Sequence, residues 1–286
     1  MGILRDKMSR DLIIRGYSKR TQKTYLHAVY SLAKHYMISP DQLNLQQINQ
    51  YQLYLIQEKN LSYSHYNVTS CALRFFYTTT LNRKDFGITR IPKLRPSKKS
   101  PLSLSINEVY LILNAVKNLK LKTIMMVMIA SGLRISEVLN LRCQDIDSEQ
   151  MLIRIVSGKR NKDRCAILPT SLLHALRYYW VEYPVSKKQW LFPTDKDENR
   201  QMGSTTINRA LKAIGKKVAI HKKITTHALR HSFSTILLEK GVGIKQLQIL
   251  LGHADLRSTM IYSQQAQIQN LKVISPLDLI YEDLYK

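Results

Sequence analysis

The chain has 286 residues, 44% of them hydrophobic, enough to bury a sizeable core and to form two domains. Its formal charge is +24, from 44 Lys and Arg against 20 Asp and Glu, an excess that points to a polyanionic partner rather than to a merely solvated basic face. Residues 1–100 carry 17 basic and 5 acidic side chains and residues 101–286 carry 27 and 15, so each part is +12 and both are expected to touch nucleic acid. The three cysteines, Cys71, Cys143 and Cys165, match no zinc spacing, and their odd number argues against a disulfide framework. The N-terminal M-G-I-L-R-D-K-M-S-R is too poor in apolar residues for a signal peptide, and the run Ile124–Ala130 is too short to span a bilayer, so the expected location is the cytoplasm, with no membrane partner.

In chain order, Ser18–Met37 reads as an amphipathic helix with Tyr25, Val29, Leu32 and Tyr36 on one stripe and Ser18 as N-cap. Ile48–Gln57 and Tyr63–Tyr77 give two more helices, the latter with Val68, Leu73 and Phe76 inward, so residues 1–90 are expected to form a small helical domain. Ile91–Pro101 holds three prolines and four basic residues and reads as an extended linker, suited to passing phosphates (Lys98, Lys99) or to plain solvation. A second domain, 102–270, opens with a capping box, Ser105 with Glu108. An apolar helix Leu119–Ala130 follows, is broken at Ser131-Gly132, and resumes at Ile135–Leu141. The alternating segments 151–156 and 164–168 around S-G-K-R-N-K-D read as a β-hairpin. Leu172–Tyr179 is helical, with Tyr178, Tyr179 and Tyr183 as packing residues, and Trp190–Pro193 is a buried anchor. Helices then cover Thr205–Ala219, Thr226–Lys240 and Ile244–Leu251, with Gly241 and Gly243 between the last two. The tail, 271–286, has an irregular apolar pattern that suits docking on a neighbouring protomer or packing in cis.

Four segments carry chemistry: A-S-G-L-R-I-S-E-V-L-N-L at Ala130–Leu141, G-K-R-N-K-D-R at Gly158–Arg164, H-A-L-R-H-S-F-S-T at His227–Thr235, and L-L-G-H-A-D-L-R-S-T-M-I-Y at Leu250–Tyr262. Two arginines, two histidines and a tyrosine suit attack of a phenol on a phosphodiester. A phenol, with a reference pKa of about 10, is a useful nucleophile only in a strongly electropositive pocket. Arg134 and Arg230 are the candidates to supply it, because the planar guanidinium fork matches two non-bridging phosphate oxygens. Arg134 and Glu137 share a helix face at three-residue spacing, as either an orienting pair or a surface ion pair. His227 is placed to donate to the phosphate or handle the nucleophile's proton, and Gly252 allows a tight helix end before His253. Lys159 is a reasonable general acid, with Lys162 and Arg164 as rivals, and all three could equally contact phosphates. His221, His174 and His231 are weaker candidates; His231, four after His227, mimics metal-ligand spacing, but no acidic cluster accompanies it and no metal is expected.

These motifs, in this order over residues 10–270, resemble those of the tyrosine recombinases of the phage-integrase group, in layout most like the compact bacterial recombinases that resolve chromosome dimers. The resemblance implies a mainly α fold with a small β-sheet, in which an N-terminal helical core-binding domain and a mixed α+β catalytic domain clamp DNA. It implies Arg134, Lys159, His227, Arg230 and His253 as the catalytic set, Glu137 as its acidic support and Tyr262 as nucleophile. It also implies site-specific cleavage and rejoining through a 3′-phosphotyrosine without cofactor, a tetramer on DNA, and room for a second recombinase or an accessory protein. The short connection Pro169–Leu191 weighs against the integron integrases. Arg160, Lys162, Arg164, Arg209 and Lys212 are further DNA contacts expected from the basic segments. A type IB topoisomerase with the same cleavage chemistry and a non-catalytic basic DNA-binding factor are the rival readings.

Overall fold

A computed structural model describes residues 2–83, 103–156, 163–184, 189–251 and 273–284. The chain divides into two compact units, residues 1–99 and 100–286.

The first unit is helical: α1 (Gly2–Ile14), α2 (Lys19–Tyr36), α3 (Leu45–Gln57) and α4 (Tyr63–Phe75), which runs into a π-helical turn at Phe76–Thr80. Its helices begin where side chains satisfy the first free N–H groups. Ser18 Oγ accepts from Thr21 N at 3.2 Å, and Asn44 with Gln47 closes a capping box at the start of α3. Val29 and Leu32 of the α2 stripe are buried with Leu73 and Phe76, while Tyr25, Tyr36 and Val68 lie half-buried at its margin. The helix α1 has no counterpart among the sequence-predicted elements. Only Met8 and Leu12 are buried on it, and Ile3, Ile13 and Ile14 face solvent, so its apolar residues draw no single stripe.

The second unit opens with α5 (Ile106–Ala115), started by the Ser105–Glu108 capping box, and α6 (Leu119–Ser131). The helix α6 is buried on every side from Thr123 to Ser131 and forms the centre of this unit's core. It stops at Gly132, whose φ of 62° is left-handed and therefore suits glycine. A short helix α7 (Ile135–Leu139) follows. Next comes a three-stranded antiparallel sheet in the order β1 (Ile146–Asp147), β2 (Leu152–Ile155), β3 (Arg164–Ile167). The predicted hairpin is β2–β3, in register Leu152↔Ile167 to Ile155↔Arg164. Ser131 Oγ donates to Ile167 O at 2.7 Å and so ties β3 to the end of α6.

Beyond α8 (Thr170–Glu182) lies a second hairpin, β4 (Pro193–Thr194) with β5 (Asp197–Gln201). Every residue of β5 is exposed, so no alternation marked it in the sequence. It is anchored by Lys120, a buried lysine whose Nζ donates to Pro193 O at 3.1 Å and pairs with Asp195. Trp190–Pro193 is an anchor through Leu191 and Phe192, both fully buried. Of the tyrosines expected to pack here only Tyr179 is buried. Tyr183, at the end of α8, is partly open to solvent but packs by stacking on Tyr179, ring centroids 5.2 Å apart, whereas Tyr178 is exposed because it falls outside the Ser171–Leu172–Ala175–Leu176–Tyr179 face that α8 turns inward. The helices α9 (Ser204–Lys217), α10 (Thr226–Glu239) and α11 (Ile244–Leu251) complete this part. Residues 273–284, ending in α12 (Tyr281–Leu284), pack in cis: Leu277, Ile280 and Leu284 are buried, and Ser275 Oγ donates to Ala130 O at 2.9 Å.

Candidate active site

The break after α6 creates the site. Arg134 occupies the N-cap position of α7 with extended backbone (φ −71°, ψ 147°), and Glu137, three residues on, reaches back to it. Glu137 Oε2 accepts Arg134 N at 2.7 Å and Oε1 accepts Arg134 Nη1 at 2.8 Å. The same carboxylate accepts Arg164 Nη2, from the start of β3, at 2.8 Å, and stands 3.6 Å from Arg230 Nη1 on α10. One carboxylate thus meets three guanidiniums from three separate elements, and the cluster is left with an excess of two positive charges. Arg134 presents itself to solvent, its side chain 47% exposed, whereas those of Arg230 and Arg164 are 11% and 8% exposed.

Arg230 is fixed by more than charge. Its Nη1 donates to Gly132 O at 2.7 Å and its Nη2 to Leu251 O at 3.4 Å, so it clasps the break after α6 and the end of α11. Burial first, then the charge of Arg134, pushes its pKa down to about 10, which leaves it cationic at neutral pH. Burial and the neighbouring Arg134 also lower Arg164, against the raising effect of Glu137. Burial opposes ionisation of Glu137, but the charge and hydrogen bonds of Arg164 and Arg134 outweigh it and hold the carboxyl below its ordinary range. The stability that Glu137 contributes is therefore present above the unfolded carboxyl value of about 4.3 and is lost as pH falls through the lower folded value. Glu137→Gln is expected to melt below wild type at neutral pH, with the gap closing on acidification below about pH 4, as thermal unfolding across pH would report.

Gly132 is as closely built. A Cβ there would stand 2.5 Å and 2.7 Å from two ring carbons of Phe233 and would meet the left-handed φ as well. Gly132→Ala is expected to cost about 2–4 kcal/mol of unfolding free energy, measured by denaturant titration, and to misplace Arg230 through its carbonyl partner.

His227, at the start of α10, is exposed, with Thr225 Oγ1 capping the helix through Ala228 N at 3.1 Å. His231 is exposed too, its ring centroid 6.3 Å from that of His227, and among the described residues no three His, Cys, Asp or Glu side chains are grouped to hold a metal. Arg209 and Lys212 lie exposed on α9, which is joined to α10 by Asn208 Oδ1 accepting from Thr226 N and Oγ1. Lys98, Lys99, Lys159, Arg160, Lys162, His253 and Tyr262 lie outside the described residues.

The structure thus brings Arg134, Glu137 and Arg230 together and adds Arg164, which the sequence reading grouped with DNA contacts. The signal for its burial was an enclosed strand: Cys165 and Ala166, which follow Arg164 on the two faces of β3, are both buried.

The phage integrase family model matches residues 103–268, and the phage integrase N-terminal SAM-like domain matches residues 4–85. The y4qK protein of Sinorhizobium fredii is 37% identical over 97% of this chain and 89% of its own length. The tyrosine recombinase XerA of Pyrococcus furiosus is 32% identical over 73% of this chain and 72% of its own. In fold, the chain is similar to a lambda integrase (75–356) dimer bound to a COC′ core site, with a TM-score of 0.72 at 16% identity, over 89% of this chain and 95% of that one. The chain belongs to the phage integrase family: it is a tyrosine recombinase, an enzyme of site-specific recombination that cuts and rejoins DNA.

Proposed function

We propose that this recombinase cleaves duplex DNA with Tyr262, in a pocket whose charge is supplied by Arg134 and Arg230. The observation that carries this reading is the convergence of those two arginines, from elements far apart in sequence, on the single carboxylate of Glu137. Fixed cations of that kind stabilise the charge that builds on the non-bridging oxygens as the phosphorus becomes five-coordinate. The Tyr262 phenol oxygen forms a bond to phosphorus, the bond to the 5′ oxygen breaks, and Lys159 gives that oxygen its proton. The phosphate remains on the tyrosine as a 3′ ester, so the bond energy is kept. A 5′ hydroxyl from a second duplex then attacks the ester and releases Tyr262. His227 and His253 donate to the phosphate oxygens or carry the proton of the phenol.

The partner is double-stranded DNA bearing specific sites, bound through both units of a chain of charge +24, with Arg209 and Lys212 on the exposed face of α9 and Lys98, Lys99, Arg160 and Lys162 as further phosphate contacts. Exchange between two duplexes requires four active sites, hence a tetramer on DNA, in which a second recombinase or an accessory protein has a place.

The test is covalent trapping on nicked duplexes taken from the DNA flanking the gene, with chelator present. The expected product is a protein–DNA adduct stable to denaturation, mapping by peptide mass to the segment that holds Tyr262. Site-specific binding with no adduct at any time would overturn the cleavage reading.

A further inference from the structure

We propose that Arg164 is a positioning residue of the cleavage reaction, acting through Glu137 to set Arg134 and Arg230, and touching no DNA. The proposal rests on the reading of Arg134 and Arg230 as the phosphate-binding pair.

The first observation is place. Arg164 is the residue of β3 paired with Ile155, and its side chain is 8% exposed, on the strand face it shares with Ala166 and Leu168. Arg230 is about as enclosed, at 11%, but its fork lies on Gly132 O and Leu251 O at the ends of α6 and α11, whereas the bond from Arg164 ends on Glu137. The second is connectivity. Glu137 binds Arg134 within its own turn, through both backbone and side chain, and that pair alone could swing as a unit about α7. The 2.8 Å bond from Arg164 Nη2 adds a support from the sheet, on the same Oε2 that faces Arg230. The carboxylate is thereby held between α7, β3 and α10, and both phosphate-binding arginines take their position from it. Arg164 also opens the strand that follows the G-K-R-N-K-D segment carrying Lys159, so proton donor and cations share one anchor in the chain.

The third observation is cost. Among the described residues Arg164 Nε and Nη1 are buried and meet no acceptor. A buried guanidinium with unmatched donors is a poor stabiliser of a fold, and an apolar side chain of similar length would pack there without that penalty. What the guanidinium supplies that an apolar chain cannot is charge against Glu137. With Arg164 gone, the carboxylate is held only within the turn of Arg134 and can shift with it relative to Arg230, and a displacement of an ångström at a reacting phosphate costs about a hundredfold in rate.

The experiment is a cycle of Arg164→Gln, Glu137→Gln and the double variant, with Arg164→Lys beside them, each read for DNA affinity across salt and for single-turnover cleavage at saturating protein. Arg164→Gln is expected to cleave about a hundredfold more slowly with an unchanged salt dependence of binding, since no counterion-releasing contact is lost. Arg164→Lys, which keeps the charge, is expected to recover part of the rate. The double variant is expected to be no slower than Glu137→Gln alone, because the path through Glu137 is already cut. A salt slope reduced by about one ion, losses that multiply in the double variant, or a normal rate in Arg164→Gln would each overturn the proposal. If Arg164→Gln melts at assay temperature, Arg164→Lys alone and in the Glu137→Gln background completes the same cycle. Arg134→Gln and Arg230→Gln run in parallel: normal cleavage there would sink the phosphate-pair reading, whereas loss there with normal cleavage in Arg164→Gln would sink only this one.

Discussion

Tyr262→Phe is expected to bind its DNA as tightly as wild type and to form no covalent adduct at any incubation time, a loss of at least about 10⁴-fold in cleavage rate. The substitution removes one oxygen, the atom that would bond to phosphorus, and keeps the ring. The chain has 16 tyrosines, so the prediction depends on none of the others taking over. Burial pushes Tyr51 up to about 12, with Tyr54 and Tyr36 adding to it, and raises Tyr77 and Tyr179 further still, the wrong direction for a phenol that must lose its proton. Tyr178 on α8 and Tyr183 just past it are exposed, and neither contacts the cluster of Arg134, Arg164 and Arg230 among the described residues. A denaturing gel for the adduct, beside an anisotropy titration for binding, checks both halves. Any adduct persisting in the variant would put the nucleophile elsewhere, and weakened binding would give the hydroxyl a role in the ground state.

The parts of this molecule that were legible in sequence are those with a local cause. The helix starts at Lys19 and Ile106 follow from Ser18 and Ser105, whose side chains sit where the first free N–H groups need them. The break at Gly132 follows from a backbone angle that suits glycine, and the start of α11 at Ile244 follows Gly243. Arg134 and Glu137 were visible as a pair from their three-residue spacing, although the contact proves to be that of an N-cap with N3 rather than of two residues on one helix face. The rest depended on partners remote in the chain. The helix α1 is held by the two buried side chains Met8 and Leu12, too few to draw a stripe, and β5 by a backbone ladder and by Lys120 beneath its turn. Arg164 is the instructive case. Its charge placed it among DNA contacts, while its strand neighbours Cys165 and Ala166 placed it inside. The inside won because Glu137, 27 residues earlier, was there to meet it.

Arg230 is expected to be the least replaceable side chain of the described site, and Arg230→Lys is expected to fail almost as badly as Arg230→Ala: cleavage falls by about 10²–10³-fold in both. Two terms add in this residue. One is electrostatic, the loss of a desolvated cation that stays charged at neutral pH even with its pKa pushed down to about 10. The other is geometric. The fork of Arg230 spans Gly132 O at 2.7 Å and Leu251 O at 3.4 Å, and so joins the segment leading into Arg134 to the residue that precedes Gly252 and His253 in the chain. A lysine restores the charge but is a single point on a flexible stem, unable to reach both carbonyls and Glu137 together. Arg230→Ala additionally leaves Gly132 O without its donor, for a stability loss of about 1–3 kcal/mol. Single-turnover cleavage with DNA prebound isolates the first effect, and denaturant unfolding the second. A lysine variant within tenfold of wild type would mean that charge alone suffices at this position and that the span from Gly132 to Leu251 has no part in catalysis.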